Sequence, residues 1–536
     1  MPTPEAPPVD AVLVGYENQE NLGLRSILAY LRHKGFRAAL IPFHPSRQGD
    51  VVREVLAKRP RLVGFSLIFQ YALDEFGALM KALRDAGVTA HFTAGGHFPS
   101  LAPEETLELL PALDTVVRFE GELTLVELME HLDEAEAWGA IQGLAFRREG
   151  SVVLTPPRPL IEDLDSLPPV ARDEPKEVGG GLLMASMLAS RGCLYNCSFC
   201  SIRQFYGTPP GPLRRARSPQ AVVDEMAALY TDAGVRVFLF QDDDFAARTP
   251  QQRAWVQAYM DALVAAGLVG NGRPKVGWKI SCRVDDLAPD ILEAMLDHGL
   301  VGVYLGVESG SEQGLKVLNK LVTVDQNRRA IELLKAYDVA MSMGFMLFDP
   351  GSTVETLREN IRFLREVGAD GHFPINFCKM LPYAGTPIQA ELRKAGRLRG
   401  STVRPDYGFL DPRVDWYAFL VHRIFGRRNF DSEGLLFRLQ QADADVRFQR
   451  ALTDQPIPEG YEPALRALIR RANVSAVETL SDLLDALVEQ GAEPLVEEEE
   501  TLLALADREW RAEAAIETEL AHLMLQDQNA PRVSDT

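Results

Sequence analysis

The sequence contains little cysteine and little histidine, with five cysteines and nine histidines among 536 residues. Five cysteines are too few for the disulfide framework of a small secreted domain. Three of them, Cys193, Cys197 and Cys200, crowd into eight positions, a pattern typical of metal binding in a reducing compartment. We therefore expect a cytoplasmic protein.

Long apolar runs and an excess of basic residues are also missing. No apolar segment is long enough to span a bilayer, and the opening MPTPEAPPVDAVLVG lacks the basic and apolar regions of a secretory signal. Lysine and arginine number 56 against 76 acidic residues, which gives a formal net charge of -20. Because such a charge opposes attraction to polyanions, we expect neither a nucleic-acid partner nor a membrane partner.

The composition and the first third of the chain indicate an α/β protein. The residues are 46% hydrophobic and 25% charged, as in globular proteins. From about residue 11 to 132, short apolar runs alternate with helical patterns, which predicts a doubly wound, Rossmann-like parallel sheet in a domain spanning 1–150. Ligands of such sheets bind beyond the carboxyl ends of the strands, where GGH (95–97) and FEGELT (119–124) fall.

A proline-rich stretch, 151–178, is predicted to be an extended linker to a second α/β domain at 179–395. Six βα units in this domain predict a partial (β/α)6 barrel of the TIM type. Its predicted strands lie at 182–190, 235–240, 276–281, 301–307, 341–348 and 375–381. Residues 396–536 show helical patterns without strand alternation and predict a helical C-terminal domain.

The cysteine array has the form C-x3-C-x2-C and follows the first strand of the second α/β domain, where a barrel carries its site. Thiolates at this spacing can converge on one soft metal centre. Three ligands on a four-iron cluster leave one iron open to a small molecule. A structural zinc site would need a fourth ligand, but the nearest other cysteine is Cys282 and no histidine lies between residues 132 and 297. Chance clustering of buried cysteines is the other alternative.

The array resembles the signature of radical S-adenosylmethionine (SAM) enzymes, and the resemblance extends over about residues 180–390. Supporting motifs are FQDDDF (240–245), SCR (281–283), GVESGSE (306–312), FDPGST (348–353) and PYAGTP (382–387). Asp349 stands where glycine is usual in the fourth motif. The resemblance implies a 4Fe-4S cluster on Cys193, Cys197 and Cys200 that chelates the methionine part of SAM.

The same resemblance assigns roles to individual residues near SAM. Phe199 would lie near the adenine, and Asp242 and Asp243 would lie near the methionine amino group. Arg283 would pair with the methionine carboxylate, and Glu308 would contact the ribose or the methionine. Taken singly, each of these motifs is also explained by a solvated turn after a strand, so the ordered set carries the prediction.

The front domain resembles the cobalamin-binding domain of one large subgroup of these enzymes. By this resemblance Ser66, Gly95, Gly96, Glu122 and Thr124 would line the corrin or its nucleotide tail. The D-x-H-x-x-G frame of methionine-synthase-type domains corresponds here to residues 18–23, with Glu20 in the histidine position. This departure implies cobalamin without a histidine below cobalt. His97 is the alternative ligand nearby, and a sheet that has lost its ligand is the alternative for the whole domain.

The predicted function is methylation of an unactivated carbon of a small molecule or peptide, with cobalamin as methyl donor and an adenosyl radical as hydrogen acceptor. A cyclisation, ring rearrangement or oxidation with the same cofactors is the alternative. An external electron donor such as flavodoxin or ferredoxin is expected as a partner. The methylthiotransferase branch brings three more cysteines in its front domain, and none precedes Cys193. A non-enzymatic sensor would need an output module, which the acidic net charge disfavours for nucleic acid.

Overall fold

The structure is a computed structural model. It describes residues 8–17, 20–172, 176–178, 181–245, 247–270, 273–491 and 499–528. The chain divides into two compact units. The first consists of residues up to 174 together with 186–221 and 381–406, and the second consists of 175–185, 222–380 and the residues from 407 onward.

The first unit is built on a seven-stranded sheet in the order β2-β1-β3-β4-β5-β6-β7. The first five strands along this order run parallel, and β6 and β7 continue the sheet as antiparallel strands. Their bounds are β1 Ala11–Gly15, β2 Ala38–Pro42, β3 Leu62–Ser66, β4 His91–Gly95, β5 Thr115–Val117, β6 Leu144–Arg148 and β7 Ser151–Leu154. Strand β7 therefore lies within the predicted linker of residues 151–178.

Helices cover both faces of this sheet. Along β1, Val12 and Val14 belong to one apolar core, whereas Ala11 and Leu13 belong to another. This alternation follows from the two-residue period of a strand and is characteristic of a doubly wound fold. The helices are α1 Leu22–His33, α2 Gln48–Lys58, α3 Leu73–Asp85, α4 His97–Leu101, α5 Pro103–Leu109 and α6 Glu122–Glu130.

The segment that carries the three clustered cysteines belongs to the first unit. A short antiparallel pair closes its base, with Ser190 opposite Ala216 and Arg191 opposite Arg215. The elements of this segment are β10 Ser190–Arg191, α7 Ile202–Gly207 and β11 Arg215–Ala216. Residues 381–406 add α14 Pro387–Lys394 and the hairpin of β19 Leu398–Gly400 and β20 Pro405–Tyr407.

The second unit contains a seven-stranded sheet in the order β18-β17-β16-β15-β12-β9-β8. Strands β12, β15, β16, β17 and β18 pair in parallel, and β8 pairs antiparallel with β9 at the edge. Their bounds are β8 Lys176–Val178, β9 Leu182–Met187, β12 Val235–Phe240, β15 Gly277–Arg283, β16 Leu300–Glu308, β17 Ala340–Phe348 and β18 Cys378–Lys379. A small hairpin joins β13 Val269–Gly270 to β14 Arg273–Pro274.

Helices alternate with these strands, as the sequence predicted for a partial barrel. Three of them begin with a threonine capping box, at Thr249, Thr323 and Thr353, which satisfies exposed amides of the first turn. The helices between strands are α8 Pro219–Ala233, α9 Pro250–Ala265, α10 Pro289–Asp297, α11 Glu312–Val317, α12 Val324–Ala336 and α13 Val354–Gly368.

Four long helices form the C-terminal region: α15 Pro412–Phe430, α16 Leu435–Leu452, α17 Tyr461–Gln490 and α18 Glu499–Gln528. From α16, Phe448 and Leu452 pack with Leu182, Val237 and Val301, which lie near the amino ends of their strands. The carboxyl ends, where a barrel site is expected, are therefore at the other end of the sheet. No helix within the described residues is long and apolar enough to cross a membrane. The predicted fold class is confirmed.

The strand predicted at 375–381 is much shorter in the structure. Only Cys378 and Lys379 pair with β17. Side chains of the C-terminal helices form hydrogen bonds with the backbone groups just before Cys378. Asn473 accepts from the Ile375 amide at 2.9 Å, and Asn429 donates to the Phe377 carbonyl at 2.9 Å. Because these groups are already hydrogen-bonded, the segment needs no neighbouring strand.

Candidate functional site

The three clustered cysteines lie on one short loop of the first unit, between β10 and α7. Cys197 is buried, Cys193 and Cys200 are half-buried, and none forms a disulfide. Among the described residues no three histidine, cysteine or acidic side chains are arranged around a common metal position. The loop thus presents three thiols of the right chemistry for an iron-sulfur cluster, and its assignment rests on that donor set and its spacing. Phe199 is half-buried in the same loop.

A glycine fixes how this loop begins. Gly192 has a φ of +86°, and a Cβ added there would lie 1.9 Å from the carbonyl oxygen of Leu213. No other residue fits this close approach, so the glycine before Cys193 is explained by packing against Leu213, which lies just before β11.

Buried ion pairs hold the base of the loop to residues that follow β5 in the seven-stranded sheet of the first unit, called here the front sheet. Arg191 donates to Glu120 at 2.9 Å and to Glu122 at 2.7 Å. Arg215, opposite Arg191 in the hairpin, donates to both carboxylate oxygens of Glu120 at 3.0 and 2.9 Å. Although burial alone would raise the pKa of Glu122, the Arg191 charge and hydrogen bonds hold it below its usual value. Glu122 and Arg191 therefore form a buried ion pair.

His97 contacts the other end of the loop. Its Nδ1 lies 3.0 Å from the Ser201 hydroxyl, and its ring stacks on Phe205 with centroids 4.3 Å apart. Burial lowers the pKa of His97 to about 4, so the imidazole is neutral at physiological pH. The strand-end motif GGH thereby packs against the residue that follows Cys200.

The other residues assigned to cobalamin have protein partners at the strand ends. Ser66 accepts a hydrogen bond from the Asn21 amide at 3.2 Å, and Gly95 lies beside it in register. Gly96 has a φ of +117°, and a Cβ there would lie 2.6 Å from the Leu67 carbonyl oxygen, so packing already requires this glycine. Thr124 donates to the Gln142 carbonyl at 3.0 Å. The contacts of these residues with cobalamin stay a prediction.

An exposed apolar surface follows β3, and sequence reasoning did not single it out. Ile68, Phe69 and Tyr71 are 41%, 40% and 52% exposed, and the rings of Phe69 and Tyr71 stack at 5.3 Å. Strands β1 and β3 are neighbours whose connections leave in opposite directions, so a crevice opens at their carboxyl ends. The run LIFQY directly after a buried strand is the signal that could have revealed this surface. Its apolar character suits the edge of a corrin ring.

Glu20 occupies the position of the missing histidine and is firmly held. It is 4% exposed, accepts from Arg172 at 2.9 Å, and also accepts from the backbone amide of Ser186. An acidic side chain in these contacts offers no nitrogen to cobalt. Asn18 and Gln19, which precede it in the predicted frame, lie outside the described residues.

A second group of predicted residues lies at the carboxyl ends of adjacent strands in the second unit. Asp242 is buried and Asp243 is exposed, directly after β12. The turn they form is tied to β15, because the Phe245 amide donates to the Ser281 carbonyl at 2.8 Å. The structure therefore brings the FQDDDF and SCR motifs together, as the predicted site requires.

A buried carboxyl pair supports this turn and was not predicted. Asp244 and Asp286 are each 3% exposed. Burial, reinforced by the neighbouring carboxylates of Asp244 and Asp285, raises the pKa of Asp286 to about 8. The Asp286 carboxyl is therefore mostly protonated at neutral pH. The third aspartate of DDD was the signal in the sequence, but its partner follows the next strand and could not be identified from spacing.

Arg283 and Glu308 each already have a protein partner. Arg283 donates from Nε to Asp285 at 2.9 Å and from its terminal nitrogen to the Lys320 carbonyl at 2.6 Å. Lys320 in turn donates from Nζ to Glu308 at 3.0 Å. Glu308 has a φ of +67°, a strained conformation for a residue with a side chain that is concentrated at functional sites.

Small residues leave room for polar groups beside Glu308. A Cβ at Gly344 would lie 2.5 Å from the Tyr304 hydroxyl and 3.3 Å from a Glu308 oxygen. Burial, with the Glu308 charge, raises the pKa of Tyr304 and raises that of Cys378 to about 12. The phenol of Tyr304 in β16 and the thiol of Cys378 in β18 are therefore neutral.

Two protein-family models match successive parts of the chain. The B12 binding domain matches residues 9–129, and the radical SAM superfamily matches residues 187–364. The chain is a cobalamin-dependent radical SAM enzyme. The structure of the cobalamin-dependent SAM radical enzyme OxsB, with aqua-cobalamin and SAM bound, resembles this enzyme with a TM-score of 0.69. The two share 16% identity, and the match covers 99% of this chain and 82% of OxsB.

Curated relatives of this radical SAM enzyme fall into two reaction types. An uncharacterized methyltransferase of Pyrococcus horikoshii is 28% identical over 342 residues, which is 63% of this chain and 71% of the relative. The anaerobic magnesium-protoporphyrin IX monomethyl ester cyclase of Cereibacter sphaeroides is 32% identical over 308 residues, 56% of this chain. The matched part spans about half of that cyclase, 48% of its length.

The two domains imply the cofactors of this cobalamin-dependent enzyme. The radical SAM domain implies a 4Fe-4S cluster and SAM, and the B12-binding domain implies cobalamin, so the predicted cofactors are confirmed. The three thiols of the cysteine loop suit the cluster by their chemistry. The crevice between β1 and β3, with its exposed apolar residues, suits the corrin.

Proposed function

We propose that the enzyme is a C-methyltransferase that acts on an unactivated carbon of a small molecule or peptide. The observation that carries the proposal is the presence of both domains on one chain. When bound, the cofactors would supply a 5'-deoxyadenosyl radical that removes a hydrogen atom from the substrate and a methyl group for the carbon radical that remains. The methyltransferase relative, matched over 71% of its length, supports this outcome.

In this proposal the strand-end residues of the second unit bind SAM. Arg283 and Lys320 are the cations, and Asp242, Asp243 and Glu308 are the acidic groups, which matches the opposite charges of an amino acid's carboxylate and amino group. The buried ion pairs of Arg283 with Asp285 and of Lys320 with Glu308 keep these side chains in fixed positions before the ligand arrives, which reduces the entropy cost of orienting it. An electron donor such as flavodoxin or ferredoxin would reduce the cluster.

A second candidate is a cobalamin-dependent cyclisation, rearrangement or oxidation without methyl transfer. The observation that favours it is the 32% identity to the protoporphyrin ester cyclase. Both candidates use the same cofactors, so they differ in whether SAM also donates its methyl group.

A single-turnover experiment without substrate separates the two candidates. The full-length protein, loaded with cluster and cobalamin and reduced anaerobically, is mixed with SAM labelled in its methyl group. We expect one S-adenosylhomocysteine per bound cobalamin and the label in the cobalamin fraction, because a methyltransferase must reload its methyl carrier from SAM. Liquid chromatography with mass spectrometry measures both.

The matched control is the same protein loaded with cluster but without cobalamin, which should form no S-adenosylhomocysteine. If the fully loaded protein releases only 5'-deoxyadenosine and the label appears in methionine rather than in the cobalamin fraction, methyl transfer is excluded. The family assignment and both cofactors would be unaffected, and the cyclase-type reaction would replace methyl transfer as the proposed function.

A further inference from the structure

We propose that Glu122 and Arg191 are positioning residues for the iron-sulfur cluster, and that their charges tune its reduction potential. This inference concerns the cluster loop alone and holds for either reaction above. Resemblance assigned Glu122 to cobalamin, and in the structure it contacts Arg191 at the base of the cysteine loop.

Buried ion pairs fix the backbone just before Cys193. Arg191 lies two residues before Cys193, so their Cα atoms are within about 7 Å of each other. Its guanidinium spans two carboxylates of the front sheet, with Glu120 at 2.9 Å and Glu122 at 2.7 Å. Ser26 of α1 donates to the same Glu122 oxygen at 2.7 Å. The start of the loop is therefore fixed by rigid elements, which gives the cysteines a defined position.

Charged side chains at the base of the loop lie close to the cysteines. The network contains two arginines, Arg191 and Arg215, and two glutamates, Glu120 and Glu122, so its net charge is zero. All four side chains are at least 88% buried, and water screens buried charges poorly. Reduction adds a negative charge to the cluster, and nearby charges and hydrogen bonds set cluster potentials. Any change in the net charge of this network should therefore shift the reduction potential of the cluster.

The far end of the loop is also held by a residue of the front sheet. His97, from the strand end of β4, meets Ser201 at 3.0 Å and stacks on Phe205. Both strand-end motifs of the front sheet thus contact the loop, one before Cys193 and one after Cys200. The front sheet supports the cluster loop in addition to offering its crevice to cobalamin.

The test uses the full-length protein with a reconstituted cluster and the variants E122Q, R191Q and E122Q/R191Q. In E122Q, the glutamine side-chain oxygen can still accept from Ser26 and Arg191, but the negative charge is removed. In R191Q, the positive charge is removed. Redox titration followed by electron paramagnetic resonance gives the midpoint potential of each protein. We expect E122Q to shift the oxidised-to-reduced ratio at a fixed potential about tenfold toward the reduced cluster, which is about 59 mV for a one-electron couple. R191Q should shift it in the opposite direction, and the double variant should return toward the wild type.

The matched control is E127Q, on the same helix α6, where Glu127 pairs with Arg158 rather than with the cysteine loop. It should keep the wild-type potential. Potentials that are unchanged in E122Q and R191Q, or that move in the same direction, would overturn the inference. Loss of iron from either variant with full iron in E127Q supports a role in assembling the loop, whereas loss from all three would show general instability and contradict it.

Discussion

Replacing any one of Cys193, Cys197 and Cys200 with alanine is expected to abolish the iron-sulfur cluster. The loop contains three thiols for three ligand positions, and no other cysteine lies in the first unit. A missing thiolate therefore has no replacement, and a cluster with two ligands is not retained. Iron and sulfide analysis of the anaerobically reconstituted, full-length protein, with absorbance and electron paramagnetic resonance spectra, measures the effect.

The matched controls are C282A and C378A, which should retain the full cluster. Cys282 is buried in the second unit, where burial and the nearby Asp286 raise its pKa well above the usual value. Burial raises the pKa of Cys378 to about 12. Both are protonated thiols, whereas a metal ligand must be a thiolate. Full iron and sulfide in a single variant of the cysteine loop would show that the cluster is held elsewhere.

The second large effect concerns cobalt. We expect the cob(II)alamin form of the protein to show no superhyperfine splitting from a protein nitrogen. Glu20 stands in the histidine position and is bound to Arg172. His97 is neutral, but its ring is engaged by Ser201 and Phe205. Among the described residues of the first unit, His44 is another imidazole near the carboxyl end of a strand, β2, and its Nδ1 lies 2.7 Å from the Ser46 hydroxyl.

Electron paramagnetic resonance of protein grown with 14N and with 15N makes this test specific to protein nitrogen. The two spectra should be identical, because any splitting from the cofactor's own base is unaffected by labelling of the protein. A splitting pattern that changes with the isotope, and that disappears in H97A or H44A, would show that a histidine coordinates cobalt.

The regular strands and helices were predictable because their apolar residues recur with the period of a strand or a helix. The strands around residues 235–240, 301–307 and 341–348 agree with β12, β16 and β17 to within one residue at each end. The strand at 375–381 was predicted from the same apolar pattern. It shrank to two residues because Asn473 and Asn429, distant in the chain, take its backbone hydrogen bonds. Apolar pattern reports burial and does not report which partner satisfies the backbone.

The candidate site was predictable as residue types and as strand ends, but its pairings were not. Glu122 was assigned to cobalamin by resemblance, and that assignment stays a prediction. In the structure it meets Arg191, which is 69 positions away in the sequence. The Asp244 and Asp286 pair likewise joins two loops that follow neighbouring strands. Pairing across such distances depends on tertiary packing, which a single sequence does not encode in any local spacing.

The presence of both domains on one chain requires that both cofactors bind the same molecule at the same time. Native mass spectrometry of the anaerobically loaded, full-length protein tests it most directly, because it weighs each intact molecule. We expect a dominant species with the mass of the chain plus one 4Fe-4S cluster and one cobalamin, and a C197A protein with cobalamin alone. Separate populations that carry the cluster or cobalamin but never both would contradict it.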